Sequence, residues 1–377
     1  MVFANNLFIN FMSSLKLLLI IILIGAIGFS VYYYWDDILK LFSVSQETIQ
    51  TPQQPAETEK IKLLSQTKVF GYWVNETKNA IYALTENGKI ISLRDGNEKN
   101  ESDEIIANLV KLLPSADGRQ AIIAFGNAQR PQFSLFNSTD NSWQPLPLEI
   151  TNLTWIKSKT QLGDLIAFID TKKGFSLEAI DLSKTNSTNT KLVNDLGLED
   201  VEMTWSGNET IIFTERPSFS YYGGAWSLNL KDFKFRQIFQ PEPGLITSWS
   251  KDGLSGLKFS VTLPNFYNLA LTDNQGTTVK NLPFATLPEK CLLEKNAAYC
   301  FVPKEISEEW RLPDDYLQKT FYSNDLIYRI PAGEGETEML LDASQDNIDG
   351  INPRRFEEKL VFINRYDNKI YSFELNE

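Results

Sequence analysis

The sequence has no histidine, and only 2 cysteines and 4 methionines in 377 residues. Without imidazole the chain has no Ser-His-Asp or Cys-His catalysis, no His-ligated zinc or haem, and no His general base working near neutrality. Only carboxylate, Lys, Tyr or Ser/Lys chemistry is left, and no spacing singles out a catalytic residue, a cofactor-binding residue or a metal ligand. Positive charge is also short: 36 Lys and Arg face 48 Asp and Glu, for a net charge of −12. Nucleic-acid affinity depends on cations displacing counterions, so a nucleic-acid partner is excluded. Beyond the first fifty or so residues no long stretch has helical periodicity. The chain is nevertheless 42% hydrophobic and 12% aromatic, enough for a substantial core.

One long apolar run is present. From Leu17 to Trp35 the chain carries no charge, and ~19 residues is close to the ~20 needed to cross a bilayer. A transmembrane helix is expected at 17–35, after a short cytoplasmic N-terminus at 1–16. Tyr32, Tyr33, Tyr34 and Trp35 supply an aromatic belt at the membrane interface, and Asp36, Asp37 and Lys40 mark the exit into water. A cleaved signal peptide competes with this reading, but bulky aromatics stand where small residues would precede a cleavage site. Lys16 on one flank and the acidic pair on the other orient the bulk of the chain outside the cytoplasm. Residues 36–58, with Pro52, Pro55 and many Ser, Gln and Thr, read as a juxtamembrane segment and flexible linker. The folded head is expected at 59–377.

The head repeats. Short apolar runs such as Ala80–Leu84, Ala121–Phe125, Leu165–Ile169, Ile211–Thr214 and Leu360–Ile363 each follow a polar turn, usually preceded by Trp or Leu. Markers at Trp73, Leu113, Trp155, Trp205, Trp249, Leu292 and Pro353 lie 40, 42, 50, 44, 43 and 61 residues apart. A period of ~40–50 residues with four short strands per unit is the signature of propeller blades. Seven markers imply an all-β, seven-bladed β-propeller, with six to eight blades compatible with the spacing and an irregular β-sandwich as the competing architecture. The last unit is too short to supply its own outer strand, whereas Glu59–Gln66, with Ile61, Leu63 and Leu64, has no partner of its own. This N-terminal strand is expected to complete the last blade and close the ring, leaving no open edge.

The turn Trp249-Ser-Lys-Asp-Gly253, its relatives at Trp205 and Leu113, and the apolar strand that follows each resemble the PD40/TolB-type repeat, also found in the N-terminal propellers of dipeptidyl-peptidase-IV-like proteins. The proline typical of that turn is absent, and the last repeat has lost its aromatic. The stretch Cys291 to Trp310 resembles membrane-anchored propeller proteins of bacteria. The resemblance implies a bacterial envelope protein with a binding platform and no catalytic set. The hydrolase domain of some relatives is missing, since there is no Gly-x-Ser-x-Gly.

Cys291 and Cys300 flank the turn at Lys295-Asn296. A two-residue hairpin there places them opposite each other in a non-hydrogen-bonded pair, within disulfide range. A disulfide is expected, with two reduced core thiols as the alternative, and a persistent one requires an oxidising compartment. The longest insertion, 303–323, carries Glu308, Trp310, Arg311 and Tyr316, and a second long loop carries Tyr221 and Tyr222; these six are the candidate binding residues, against the alternative of solvated or packing loops. The acidic run Asp342, Asp346, Asn347, Asp349 lacks calcium-loop spacing and reads as a turn. The expected function is a membrane-anchored, extracytoplasmic protein-interaction or ligand-sensing module in a bacterial cell-envelope assembly. Its partners would be the membrane, through one helix, and a protein or envelope polymer, with no cofactor and no metal. The alternative is a lyase or glycosidase using paired carboxylates in the central funnel.

Overall fold

The computed structural model describes residues 60–375, apart from 95, 157–163, 172–173, 183–188, 199 and 208. The expected transmembrane helix, its belt Tyr32, Tyr33, Tyr34 and Trp35, and the linker lie outside these residues. No helix among the described residues is long and apolar enough to cross a membrane.

Seven antiparallel four-stranded sheets form the blades of a propeller. Blades 1 to 6 span 69–100, 109–145, 150–196, 201–243, 246–281 and 291–342. Blade 7 combines 350–374 with the N-terminal strand Ile61–Leu63. The sequence markers all fall in the innermost strands of their blades, and the apolar runs form the second strands. Those second strands are buried on both faces: Ala80–Thr85 and Lys359–Asn364 have almost no exposed position. A strand covered on both sides needs continuous apolar residues instead of alternation, which explains why these runs stood out.

The closing strand pairs as expected, Ile61 opposite Phe373 and Leu63 opposite Tyr371. The Leu64 amide donates to the Ile370 carbonyl at 2.8 Å, and Ser65 Oγ accepts from the Ile370 amide at 2.9 Å. Seven apolar clusters each join two neighbouring blades. One of them packs Val69, Tyr72 and Ile81 of blade 1 against Val361, Ile363 and Ile370 of blade 7. The core is therefore a ring of blade-to-blade interfaces, each burying large side chains worth ~1.5–3 kcal/mol apiece. Tyr72 Oη reinforces the closing junction by donating to the Val361 carbonyl at 2.6 Å.

The repeated Ser-x-Asp-Gly turn has a local cause. Asp252 accepts from Ser250 Oγ at 2.6 Å and from the Leu254 amide at 3.1 Å, while Ser250 Oγ also accepts from the Ser255 amide at 3.1 Å. Gly253 follows at φ +71°, and a Cβ there would lie 1.3 Å from the Ser206 carbonyl oxygen of blade 4. Gly118 repeats the arrangement, its absent Cβ 1.8 Å from the Val74 carbonyl oxygen of blade 1. The glycine is needed both for the positive φ and because the neighbouring turn occupies the side-chain space.

Antiparallel order puts the marker turns and the third-to-fourth hairpins on one face, called lower. The second-to-third hairpins and the blade-to-blade connections lie on the upper face. Cys291 faces Cys300 across blade 6 and the two form a disulfide, Cα to Cα 4.1 Å.

Candidate binding face

The insertion between Ala297–Pro303 and Asp325–Pro331 of blade 6 folds over the upper face and is fastened to its neighbours. Its helical turn, Asp314–Leu317, presents the Asp314 carboxylate to blade 4, where it accepts from the Phe219 amide at 2.8 Å and Ser218 Oγ at 3.1 Å. Over blade 5, Asn265 Nδ2 donates to the Glu308 carbonyl at 2.8 Å, and Tyr267 Oη donates to the Trp310 carbonyl. Trp310 stacks on Phe321 with centroids 3.8 Å apart, which draws the two arms of the insertion together. Toward blade 7, the Arg365 guanidinium lies 3.8 Å from the centre of the Tyr316 ring, and its Nη2 donates to the Tyr316 carbonyl at 3.0 Å.

Beneath the helical turn sits a buried charge cluster. Lys290 Nζ contacts Asp349 Oδ1 at 2.6 Å, Asp325 Oδ2 at 2.8 Å and Ser323 Oγ at 2.8 Å. Arg365 Nη1 reaches Asp349 Oδ2 at 2.8 Å, and backbone amides of Ser323 and Gly350 donate to Asp349 and Asp325. Two cations and two carboxylates thus balance in a site closed to solvent, which is the condition under which buried charge is tolerated. Burial pushes the Asp325 carboxyl up to about 6 against the pull of Lys290. Burial likewise drives the Tyr316 phenol well above its usual range, helped by the nearby carboxylates.

Where the insertion meets blades 4 and 5 there is an open cleft of about 660 Å³, bordered by Phe219, Ser220, Leu263, Asn265, Glu308, Glu309 and Arg311. The two hairpins beside it expose Tyr221 (54%), Tyr222 (57%), Leu263 (48%) and Phe266 (67%). The axial channel is different in character. Lys111 on the inner strand of blade 2 pairs with Glu202 on the inner strand of blade 4, a contact that passes in front of blade 3. Glu289, solvent-accessible but ringed by protein, has its carboxyl raised by that enclosure, against the pull of Arg365 and Lys290. Among the described residues no group of three or more Cys, Asp or Glu is placed to hold a metal ion.

Of the candidate residues, Glu308 and Arg311 border the cleft, and Tyr221 and Tyr222 stand exposed beside it. Trp310 is half-buried and braces the insertion. Tyr316 differs from the expectation of a surface contact: at 4% exposure it is packing under the insertion, because Arg365 covers its ring. Sequence reading missed Phe219, Leu263 and Phe266 as neighbours of the insertion, since blades 4, 5 and 6 meet only through the ring. It also missed the charge cluster: Asp349 sat in a run read as a turn, Asp325 opens the strand Asp325–Pro331, and Lys290 and Arg365 lie in two separate connections.

No protein-family model and no curated protein sequence matches the chain. Among solved structures, an oligogalacturonate lyase in complex with manganese is similar at a TM-score of 0.53 and 10% identity, over 84% of this chain and 91% of that one. U3-55K is similar at 0.50 and 11% identity, over 84% and 98%. TolB from Acinetobacter baumannii is similar at 0.41 and 11% identity, over 74% and 65%. The first two likenesses bear on the fold and on nothing beyond it.

Proposed function

We propose that the chain is a membrane-tethered, extracytoplasmic binding propeller that takes a protein partner on the upper face of blades 4 to 6. The observation that carries this reading is the strapped insertion. It fixes a cleft beside four exposed large apolar side chains, Tyr221, Tyr222, Leu263 and Phe266, and solvent-facing aromatics grouped around a rigid hollow are the composition of binding hot spots. Glu308 and Glu309 outnumber Arg311 on the cleft wall, so the complementary partner surface is apolar with basic groups at its edge. The apolar run 17–35 supports the tether, and the Cys291–Cys300 disulfide fits an oxidising compartment outside the cytoplasm. The carboxylate-enzyme alternative has less behind it, since Glu202 in the channel is already ion-paired with Lys111.

The test is site-specific photo-crosslinking in intact membranes. A crosslinking residue at Tyr222 or Phe266 is expected to capture one defined protein partner, a control at Lys234 in the lower hairpin of blade 4 is not, and Phe266→Glu should lower capture from Tyr222 at least tenfold. Equal capture from the upper and lower positions would refute the assignment.

A further inference from the structure

The outer flank between blades 1 and 2, toward the lower face, reverses the sign of the protein's charge. A cleft of about 580 Å³ there is bordered by Lys78, Arg94 and Lys99 against the single carboxylate of Glu101, a surplus of two positive charges in a chain of net −12. That volume falls within the range of small-ligand sites. Glu101 is largely engaged, accepting from Ser92 Oγ at 2.7 Å, Asn141 Nδ2 at 2.8 Å and Lys99 Nζ at 3.2 Å. Burial resists its ionisation, yet these donors outweigh burial and hold the carboxyl below its usual range.

The remaining cations are positioned by backbone carbonyls; the nearby exposed Asp140 carboxylate feels Lys78 electrostatically but forms no direct ion pair with it. Lys78 Nζ donates to the Ser138 carbonyl and, at 3.3 Å, to the Thr139 carbonyl, and it stands 5.9 Å from the centre of the Tyr82 ring. Arg94 Nη2 donates to the Lys78 carbonyl at 2.9 Å, which anchors one corner of the guanidinium. Neither Lys78 nor Arg94 pairs with a carboxylate among the described residues. A guanidinium fork fixed beside an ammonium, in a partly enclosed hollow, is an arrangement suited to bidentate recognition of an oxyanion.

We propose that this flank cleft binds a small multivalent oxyanion, gripped between the Arg94 fork and the ammonium groups of Lys78 and Lys99. The site is independent of the upper face and of any partner bound there. A monovalent anion would meet only one cation at a time, so multivalency is part of the assignment.

Calorimetric titration of the full-length chain at low ionic strength tests it, with pyrophosphate and citrate as probes and acetate as the monovalent control. Saturable one-site binding of pyrophosphate or citrate is expected, at least tenfold tighter than acetate, and the better probe tells whether phosphoryl or carboxylate groups are preferred. Arg94 and Lys99 are exposed, so Arg94→Gln with Lys99→Gln should keep the wild-type melting curve while weakening binding at least tenfold. Glu101→Gln removes the opposing charge and should tighten binding several-fold. Absence of saturable binding in the wild type, or an affinity unchanged in the Arg94/Lys99 double variant, would overturn the proposal.

Discussion

Lys290 sits between two buried aspartates, Asp325 and Asp349, that repel each other without it. Replacing it with methionine leaves carboxylates in the interior with Arg365 as their remaining cation. The expected loss is ~3–5 kcal/mol, the usual result of removing one partner from a buried ion pair, read as a drop in denaturation midpoint. The same cluster sets a pH dependence. The Asp325 carboxyl, raised by burial to about 6, holds its proton in the folded state at pH values where the unfolded chain, near ~3.9, has lost it. The native state then binds more protons, so this group's contribution is largest below about pH 4 and is lost as pH rises through 6. Asp252, held low by the Ser250 hydroxyl, acts with opposite sign in a lower window, its contribution lost as pH falls below the ordinary aspartate range. Denaturant midpoints between pH 4.5 and 7 should therefore decline with pH in the wild type. The decline due to Asp325 should be absent in Asp325→Asn, where Lys290 still pairs with Asp349.

At the level of elements, the insertion and the disulfide both restrain blade 6, and they should behave differently when removed. Asp314 is the clasp on blade 4, so Asp314→Ala is expected to free the insertion from the hairpin at Ser218 and Phe219 while Leu312 and Tyr316 stay seated in the core cluster of blades 5 and 6. Limited proteolysis should then cut within 304–324 several times faster, with the thermal midpoint of the ring nearly unchanged. The Cys291–Cys300 bond closes only a short loop, and Cys291→Ser with Cys300→Ser should cost ~2–3 kcal/mol by the chain-entropy estimate while the far-UV spectrum stays that of the same β fold. What the sequence revealed and what it hid divide along the same line. Strand positions were legible because burial on both faces forces apolar runs such as Ala121–Phe125, and the Cys pair because a hairpin's register fixes which residues are opposite. The closing strand was legible because a ring cannot leave Ile61 and Leu63 without partners. The clasp was not legible, since Asp314 and Phe219 are 95 residues apart and nothing in either loop names the other. Tyr316 looked like its neighbours in the insertion, and contacts distant in sequence, with Arg365 and with the core cluster of blades 5 and 6, turn it inward.

For the whole molecule, everything depends on closure. If blade 7 takes its fourth strand from the N-terminal segment, the seven interfaces hold one another in place and the upper face of blades 4 to 6 is a rigid platform. Were that strand free, blades 1 and 7 could separate and the channel pair Lys111–Glu202 would have no fixed geometry. Hydrogen exchange measured on the full chain addresses this most directly. The Leu64 and Ile370 amides, which bond across the closing junction, are expected to exchange as slowly as the amides of Thr210–Glu215 in the middle of blade 4. Exchange of the Leu64 amide at the rate of an unstructured peptide, with blades 2 to 6 still protected, would contradict closure.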